Sequence, residues 1–498
     1  MENLMLYLCL SLITFISVFT FLVRPSINLP PSPPFSLPII GHLYLLKRPI
    51  HQTLQKLSKK YGHVFSLHLG SQLVVVVSSP SAVKECFTVN DIILANRPLS
   101  NITKHLTYNN TIFSASPYGD YWRDLRRISI IEIFSATRLN MFLEIRKDEI
   151  KRLLGKLCGI SSDGFARVEM GSIFSELSSN IVMRMVMGKR FYGEDVMDVE
   201  QAREFRDIVK QVMENCGTYN SRSFIPLLNW IDITRYEKRV IKLGQRNDQF
   251  LQGLIDEHRN QKEEGRNTMI DHLLSLQESQ LDFMSDQVIK GLITVILLAG
   301  TDTIAVTMEW ALSHLLNNPD VLNNARIELD SIIGQERLVD ESDLSKLSYL
   351  EGVIYETLRL NPAAPLLVPH YASKNCSIAG YEIPCDTIVL INAWAIHRDP
   401  NIWEDATTFN PERHKNPKVD ELLYKLIPFG VGRRACPGVG MAHRVVGLAL
   451  TSLIQCFEWK RVNSELVDMA EGVGLTMPRA QPLQAMCKSR PIMNRVLI

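Results

Sequence analysis

Phe429-Gly-Val-Gly-Arg-Arg-Ala-Cys-Pro-Gly438 decides how this 498-residue chain is read. One sulfur, Cys436, stands in a glycine-rich loop beside Arg433 and Arg434 and just ahead of an apolar helical run from Met441 to Cys456. Positive charge and a helix N-terminus both favour an anion, so the pattern suits a thiolate that grips a metal. Gly430, Gly432 and Gly438 permit conformations and a closeness of approach that side chains would forbid, as a loop lying against a flat macrocycle requires. Phe429 is expected to pack near the sulfur. A lone cysteine in a turn is usually structural, but the arginines and glycines around this one reverse that expectation.

The spacing FxxGxRxCxG, filled by Phe429, Gly432, Arg434, Cys436 and Gly438, resembles the haem-binding signature of the cytochrome P450 family of haem-thiolate monooxygenases. The resemblance implies haem b, iron protoporphyrin IX, with Cys436 as the axial metal ligand. A thiolate in that position pushes electron density onto iron and favours cleavage of the O–O bond.

The run from Ser285 to Asn318, closed by Pro319, is helix-compatible and apolar around most of its circumference, which predicts a buried helix. It is too interrupted to span a bilayer, since eleven uncharged residues separate Lys290 from Asp302. In its middle lies Ala299-Gly-Thr-Asp-Thr303. Gly300 removes bulk, and Thr301 and Thr303 offer hydroxyls to backbone carbonyls, so a weakened helical ladder and a groove are expected here. A carboxylate in such surroundings needs a partner or a proton-transfer task. AGTDT resembles the family's oxygen-activation motif, which assigns catalysis to Asp302 and Thr303: the hydroxyl orders the bound oxygen and the acid supplies protons. Ile304 stands where many relatives carry a second hydroxyl.

Glu356-Thr-Leu-Arg359 places a carboxylate and a guanidinium one turn apart. The family's ExxR joins an arginine from a later PERF-like segment in a structural network, which assigns Glu356, Arg359 and Arg413 to it. That segment reads Pro411-Glu-Arg-His414, and His414 in place of the usual Phe puts the local packing in question. The haem carboxylates need cationic or hydrogen-bonding partners. Trp122 and Arg126 match the family's WxxxR pair, Arg434 and His370 match its other common contacts, and Arg97 is a further candidate; His370 also suits the cap of a strand. Substrate-pocket candidates from the family's usual regions are Ala299, Leu366, Val368 and Leu475, together with the apolar stretch Phe224 to Ile231.

Composition sets the frame. A formal net charge of +1 excludes the basic footprint of a nucleic-acid binder. Nine cysteines without CxxC pairs give neither a disulfide framework nor a zinc site. From Leu4 to Val23 the chain runs twenty residues without a charge, enough for a transmembrane helix, and Arg24 behind it predicts that the body stays on the cytosolic side. The expected organisation is a membrane anchor over 1–23, a proline-rich hinge over 24–41 acting as a semi-rigid spacer, and one catalytic domain over 42–498.

Anchor, hinge, WxxxR, AGTDT, ExxR, PERx and the cysteine loop follow the family's order. The implied fold is mainly α with a minor β region: the cytochrome P450 fold behind an N-terminal transmembrane helix. Several C-terminal motifs resemble the plant branch that contains isoflavone hydroxylases. The resemblance further implies a single-pass protein of the endoplasmic reticulum membrane, in contact with membrane lipid. It would take electrons from NADPH through NADPH–cytochrome P450 reductase and use O2 on an apolar small-molecule substrate. Docking of the reductase is expected at Arg123, Arg127, Arg433 and Arg444. A haem-thiolate isomerase or dehydratase would share the cysteine loop but has little need of Asp302 and Thr303, and a non-enzymatic haem-binding membrane protein would tolerate their replacement.

Overall fold

The computed structural model describes residues 28–99, 103–193, 195–196, 198–216, 224, 226–260, 267–279, 283–415 and 422–496, together with residue 11. The expected anchor over 1–23 lies outside the described residues except for residue 11, as do most side chains of the Phe224 to Ile231 stretch.

Helices dominate, as expected of a mainly α fold. Six of them build the site: α1 (Asp120–Ile128), α2 (Met170–Met187), α3 (Asp286–Gly300), α4 (Asp302–Asn317), α5 (Ser348–Leu360) and α6 (Val439–Cys456). In α1, Trp122, Leu125 and Ile128 turn inward at three-residue spacing while Arg123 and Arg127 face out. Helix α4 has no polar face, because every side chain from Ile304 to Leu316 is buried. Its hydroxyls are satisfied internally, Thr307 donating to the Thr303 carbonyl and Ser313 to the Glu309 carbonyl. The stretches Asp286–Asn317 and Val439–Cys456 are long and apolar enough to cross a bilayer, yet both are mostly buried within the fold. They are the central layer of the core, where Val182, Met308, Leu312, Val353 and Leu448 belong to one apolar cluster.

The β region is minor. Strands β1 (Val64–Leu69), β2 (Gln72–Val77), β3 (His370–Tyr371) and β4 (Ile388–Ile391) form one sheet in the order β1-β2-β4-β3. Two valine- and isoleucine-rich runs pair directly, Val74 to Val77 parallel to Ile388 to Ile391. The proline-rich segment is not a free spacer over its described part. Ser66 donates through its backbone to the Pro31 carbonyl and through its hydroxyl to the Pro30 carbonyl, both at 2.8 Å. Gly41 follows at φ +60°, where a Cβ would collide with the His68 carbonyl. The hinge is thereby laid along β1.

The ExxR pair is buried and more extensively bonded than its sequence implies. Arg359 binds both oxygens of Glu356 at 2.8 Å and donates to the carbonyls of His397 at 2.5 Å and Ala406 at 2.7 Å. Arg413 reaches Glu356 at 3.0 Å, and the Asn410 N–H does so at 2.9 Å. His414 does not disturb this packing. Its Nε2 lies 2.8 Å from Glu356 Oε2, making it a further member of the cluster. Burial would raise the Glu356 pKa, but the hydrogen bonds from Arg359 and His414 outweigh it and hold the carboxyl at about 2. The network continues toward the cysteine loop, since His397 Nε2 accepts from the Ile427 N–H at 2.9 Å.

Removing one partner of a buried ion cluster strands the others, so Glu356→Gln is expected to cost about 3–5 kcal/mol. His414→Ala is expected to cost about 1–3 kcal/mol. The Glu356 pKa is depressed in the fold, so its contribution is fully present above the ordinary carboxylate range and is lost as pH falls toward about 2. Without His414 that loss should begin at higher pH. Thermal and acid unfolding midpoints of the two variants check these expectations; an unchanged acid midpoint in His414→Ala would refute the role given to the imidazole.

Candidate active site

Cys436 is held by its own loop: its N–H donates to the Phe429 carbonyl at 2.9 Å, and Gly430 and Gly432 turn the chain with φ of +68° and +74°. At Gly432 a Cβ would stand 2.6 Å from Asp91 Oδ1 and 2.9 Å from the Phe87 ring, so only glycine fits. Phe429 is half-buried, with its ring centre 5.5 Å from that of His443. Helix α6 begins at Val439 directly behind the loop, as the apolar run predicts. Burial pushes the Cys436 thiol up, while a hydrogen bond from the Gly438 N–H and the charge of Arg126 pull it down.

The cation acting on the sulfur is therefore not the neighbour suggested by sequence. Arg433 pairs with Asp91 at 3.2 Å. Arg434 turns away to donate to the carbonyls of Ala95 at 2.6 Å and Ser116 at 2.5 Å, with its guanidinium 4.2 Å from the Trp122 ring centre. Arg126, one turn after Trp122, donates to the Ala435 carbonyl at 2.7 Å, within the cysteine loop.

Five sequence candidates converge beside that loop. Arg97 donates to the Val368 and Pro369 carbonyls at 2.9 and 2.7 Å. His370 opens β3 and its Nδ1 lies 2.8 Å from the Leu94 carbonyl, so it sits at a strand end and in the cluster at once. Trp122 Nε1 donates to the Phe113 carbonyl at 3.2 Å. Among the described residues none of Arg97, Arg126 and Arg434 has a carboxylate partner, and the buried Nε of Arg97 has no hydrogen bond. Burial lowers the pKa of Arg434 to about 9, aided by repulsion from Arg97 and Arg126, and burial lowers that of Arg97 to about 10. Burial, then the charge of Arg97, holds His370 well below its ordinary range. A buried cluster of cations without its anion fits the edge of a macrocycle that carries two carboxylates.

The AGTDT helix breaks where sequence places the weakness. Helix α3 ends at Gly300 and α4 starts at Asp302, with Thr301 at φ −92°, ψ −67° between them. Thr301 and Thr303 hydroxyls donate to the carbonyls of Leu297 at 2.9 Å and Ala299 at 2.7 Å. A Cβ at Gly300 would lie 3.8 Å from Met441 in the first turn of α6, which seats the break beside the cysteine loop. The Asp302 carboxylate accepts a hydrogen bond from the hydroxyl of Thr476, a residue the sequence reading did not single out.

These contacts form a circuit of neighbouring elements. From the cysteine loop it runs through Arg434 to Ala95, and through Arg97 to Val368. It continues where the Met477 N–H donates to the Ala363 carbonyl at 2.9 Å, then from Thr476 to Asp302, and from Gly300 back to Met441. Cys436 is exposed as a residue although its sulfur sits deep among its neighbours, and Ala299 is exposed in an otherwise buried or half-buried stretch of helix. Val368 and Leu475 are exposed on other arcs of the circuit. Leu366 differs from these pocket candidates: it is packed with Leu67, Val74, Ile388 and Leu390 in the core of the β1–β4 sheet. Phe224 belongs to the same cluster.

Comparison with known proteins shows the family. The family described as Cytochrome P450 matches residues 30–483. The chain is 56% identical over 470 residues to Cytochrome P450 81Q32 of Catharanthus roseus, covering 94% of this chain and 93% of that one. It is 54% identical over 471 residues to isoflavone 2'-hydroxylase of Glycyrrhiza echinata, at 94% and 93% coverage. It is 51% identical over 472 residues to the (+)-piperitol/(+)-sesamin synthase CYP81Q2 of Sesamum radiatum, at 95% and 92% coverage. A zebra fish cytochrome P450 solved with progesterone shares the fold, with TM-score 0.74, 24% identity and coverage of 89% of this chain and 100% of that one. The chain belongs to the cytochrome P450 family, whose haem cofactor makes it an oxidoreductase of the monooxygenase class.

Proposed function

We propose that the protein inserts one atom of O2 into an apolar plant secondary metabolite, a flavonoid, other phenolic, lignan or terpenoid, with hydroxylation as the default outcome. The observation that carries the reading is the circuit of contacts that links Cys436 and the cation cluster to the helix break bearing Asp302 and Thr303. The exposed walls named on that circuit, Ala299, Val368 and Leu475, are uncharged, which favours an apolar ligand. Relatives named as isoflavone hydroxylases and as a lignan-forming synthase support an aromatic substrate.

Haem b, ligated by Cys436, supplies the activation of dioxygen. The chain's own residues do the rest. Trp122, Arg126, Arg434, Arg97 and His370 hold the two haem carboxylates by charge-assisted hydrogen bonds, relieving the buried positive charge. Burial pushes the Cys436 thiol up, and Arg126 and the Gly438 N–H oppose it, favouring the thiolate that would ligate iron. Thr303, at the opened turn of the helix, orders the oxygen, and Asp302 passes protons toward it. The apolar walls exclude water and orient the carbon to be oxidised.

Two electrons come from NADPH through NADPH–cytochrome P450 reductase, docking on the cysteine-loop side. Arg123, Arg127, Arg433 and Arg444 lie near acids of their own, Asp120, Asp124, Asp91 and Glu341. The Arg123 and Arg127 pairs are exposed and weakly held, so an acidic partner surface competes for those two arginines readily. Leu4 to Val23 anchors the protein in the endoplasmic reticulum membrane with the catalytic domain in the cytosol. Phe35 and Ile39, 82% and 62% exposed just after it, extend the apolar surface toward lipid.

Microsomes that contain the protein and a reductase should convert members of a flavonoid and lignan panel to products one oxygen atom heavier by mass. Products of unchanged mass formed without NADPH would overturn the reading. Cys436→Ser should abolish turnover and remove the red-shifted Soret band of the ferrous carbonyl complex. Arg123→Glu combined with Arg127→Glu should slow reduction by the reductase about tenfold at low salt and flatten its dependence on ionic strength; unchanged rates across salt concentrations would exclude this docking face.

A further inference from the structure

Thr476 lies 174 residues from Asp302 in sequence, yet its hydroxyl is the one side-chain donor to that carboxylate among the described residues. Asp302 has no ion pair among them either. The acid stands as the first residue of α4, directly after the break, with a short side chain that is only partly buried. Nothing else described fixes which way the carboxylate points.

Thr476 itself is rigidly carried. Ahead of it, Glu471 is bound by His51 at 2.6 Å, Gln52 at 2.7 Å and Trp394 at 2.8 Å. After it, the Met477 carbonyl accepts from Trp310 Nε1 at 2.8 Å, and Arg479 donates to the Ser313 hydroxyl at 2.8 Å. The Gly472 N–H closes the loop on the Pro478 carbonyl at 2.7 Å. Both shoulders are pinned, and Trp310 and Ser313 belong to the same helix as Asp302. Between the shoulders, Val473 and Leu475 stand 61% and 46% exposed. One loop thus offers apolar side chains to a ligand and, one residue later, grips the acid.

We propose that Thr476 is a positioning residue for proton delivery: carried by the pinned 471–478 loop, its hydroxyl orients the Asp302 carboxylate. The inference rests on the role given above to Asp302. A hydroxyl suits the task because it donates to the ionised carboxylate and accepts from the protonated one, so the contact persists through a protonation cycle. Valine at this position keeps the branched shape and loses both abilities; serine keeps them.

The test compares Thr476→Val, Thr476→Ala and Thr476→Ser with Asp302→Asn, and with Thr476→Val in the Asp302→Asn background, all as full-length, haem-loaded protein with reductase. Thr476→Val and Thr476→Ala should lower product formed per NADPH about threefold to tenfold, with the electrons appearing as hydrogen peroxide or water, and Thr476→Ser should restore it. The substrate-induced Soret shift should keep its midpoint. The C–O stretching band of the carbon monoxide complex, which senses polar groups on the oxygen side, should shift or split in Thr476→Val and not in Thr476→Ser. In the Asp302→Asn background Thr476→Val should add less than twofold. If Asp302→Asn uncouples turnover while Thr476→Val and Thr476→Ala do not, the positioning role is wrong. If Asp302→Asn itself changes nothing, the role of the acid is wrong as well. Equal loss in Thr476→Ser and Thr476→Val would show that packing, not the hydroxyl, matters there.

Discussion

Glu356 is a carboxylate with no exposed surface, and the architecture around the cofactor site follows from what it takes to keep it ionised there. Arg359, Arg413, His414 and a backbone N–H enclose it, so α5 and the segment from 404 to 414 cannot separate without leaving charge unpaired. Through the carbonyl and ring of His397 the constraint reaches Ile427, two residues before the loop that holds the sulfur. The cysteine loop is therefore positioned from behind by an electrostatic cluster and from the side by α6.

The same logic is inverted at the other end of the site. There Arg97, Arg126 and Arg434 are brought together with His370 and no acid among the described residues, their charges resting on backbone carbonyls. One cluster is complete and locks the scaffold; the other lacks its anion and is ready for a charged ligand edge. Burial makes both consequential, because ionic contacts in a poorly screened interior are strong when matched and costly when not.

Much of this was legible in the sequence, for identifiable reasons. Cys436, its glycines and the break at Gly300 to Asp302 are local patterns, and local patterns survive without coordinates. What depended on side chains meeting across long stretches of chain was not legible. Arg126 replaces Arg433 as the cation near the sulfur because Asp91, far upstream, captures Arg433. His414 reads as a departure from the family pattern, while in space it supplies a hydrogen bond. Leu366, counted as a pocket wall, is consumed by the sheet core, and Thr476 carries no local signal at all.

The pairing of β2 with β4 has a consequence for biosynthesis. Val74 to Val77 must wait for Ile388 to Ile391, more than three hundred residues later, before their open edge is covered. At ribosomal elongation rates the early strand stays unmatched for about 15 to 60 s. During that interval a run of four valines is a template for adhesion to other nascent chains. In the folded chain the carbonyls of Pro30 and Pro31 accept from Ser66 and cover part of the opposite margin of the hairpin, a contact that needs no later sequence.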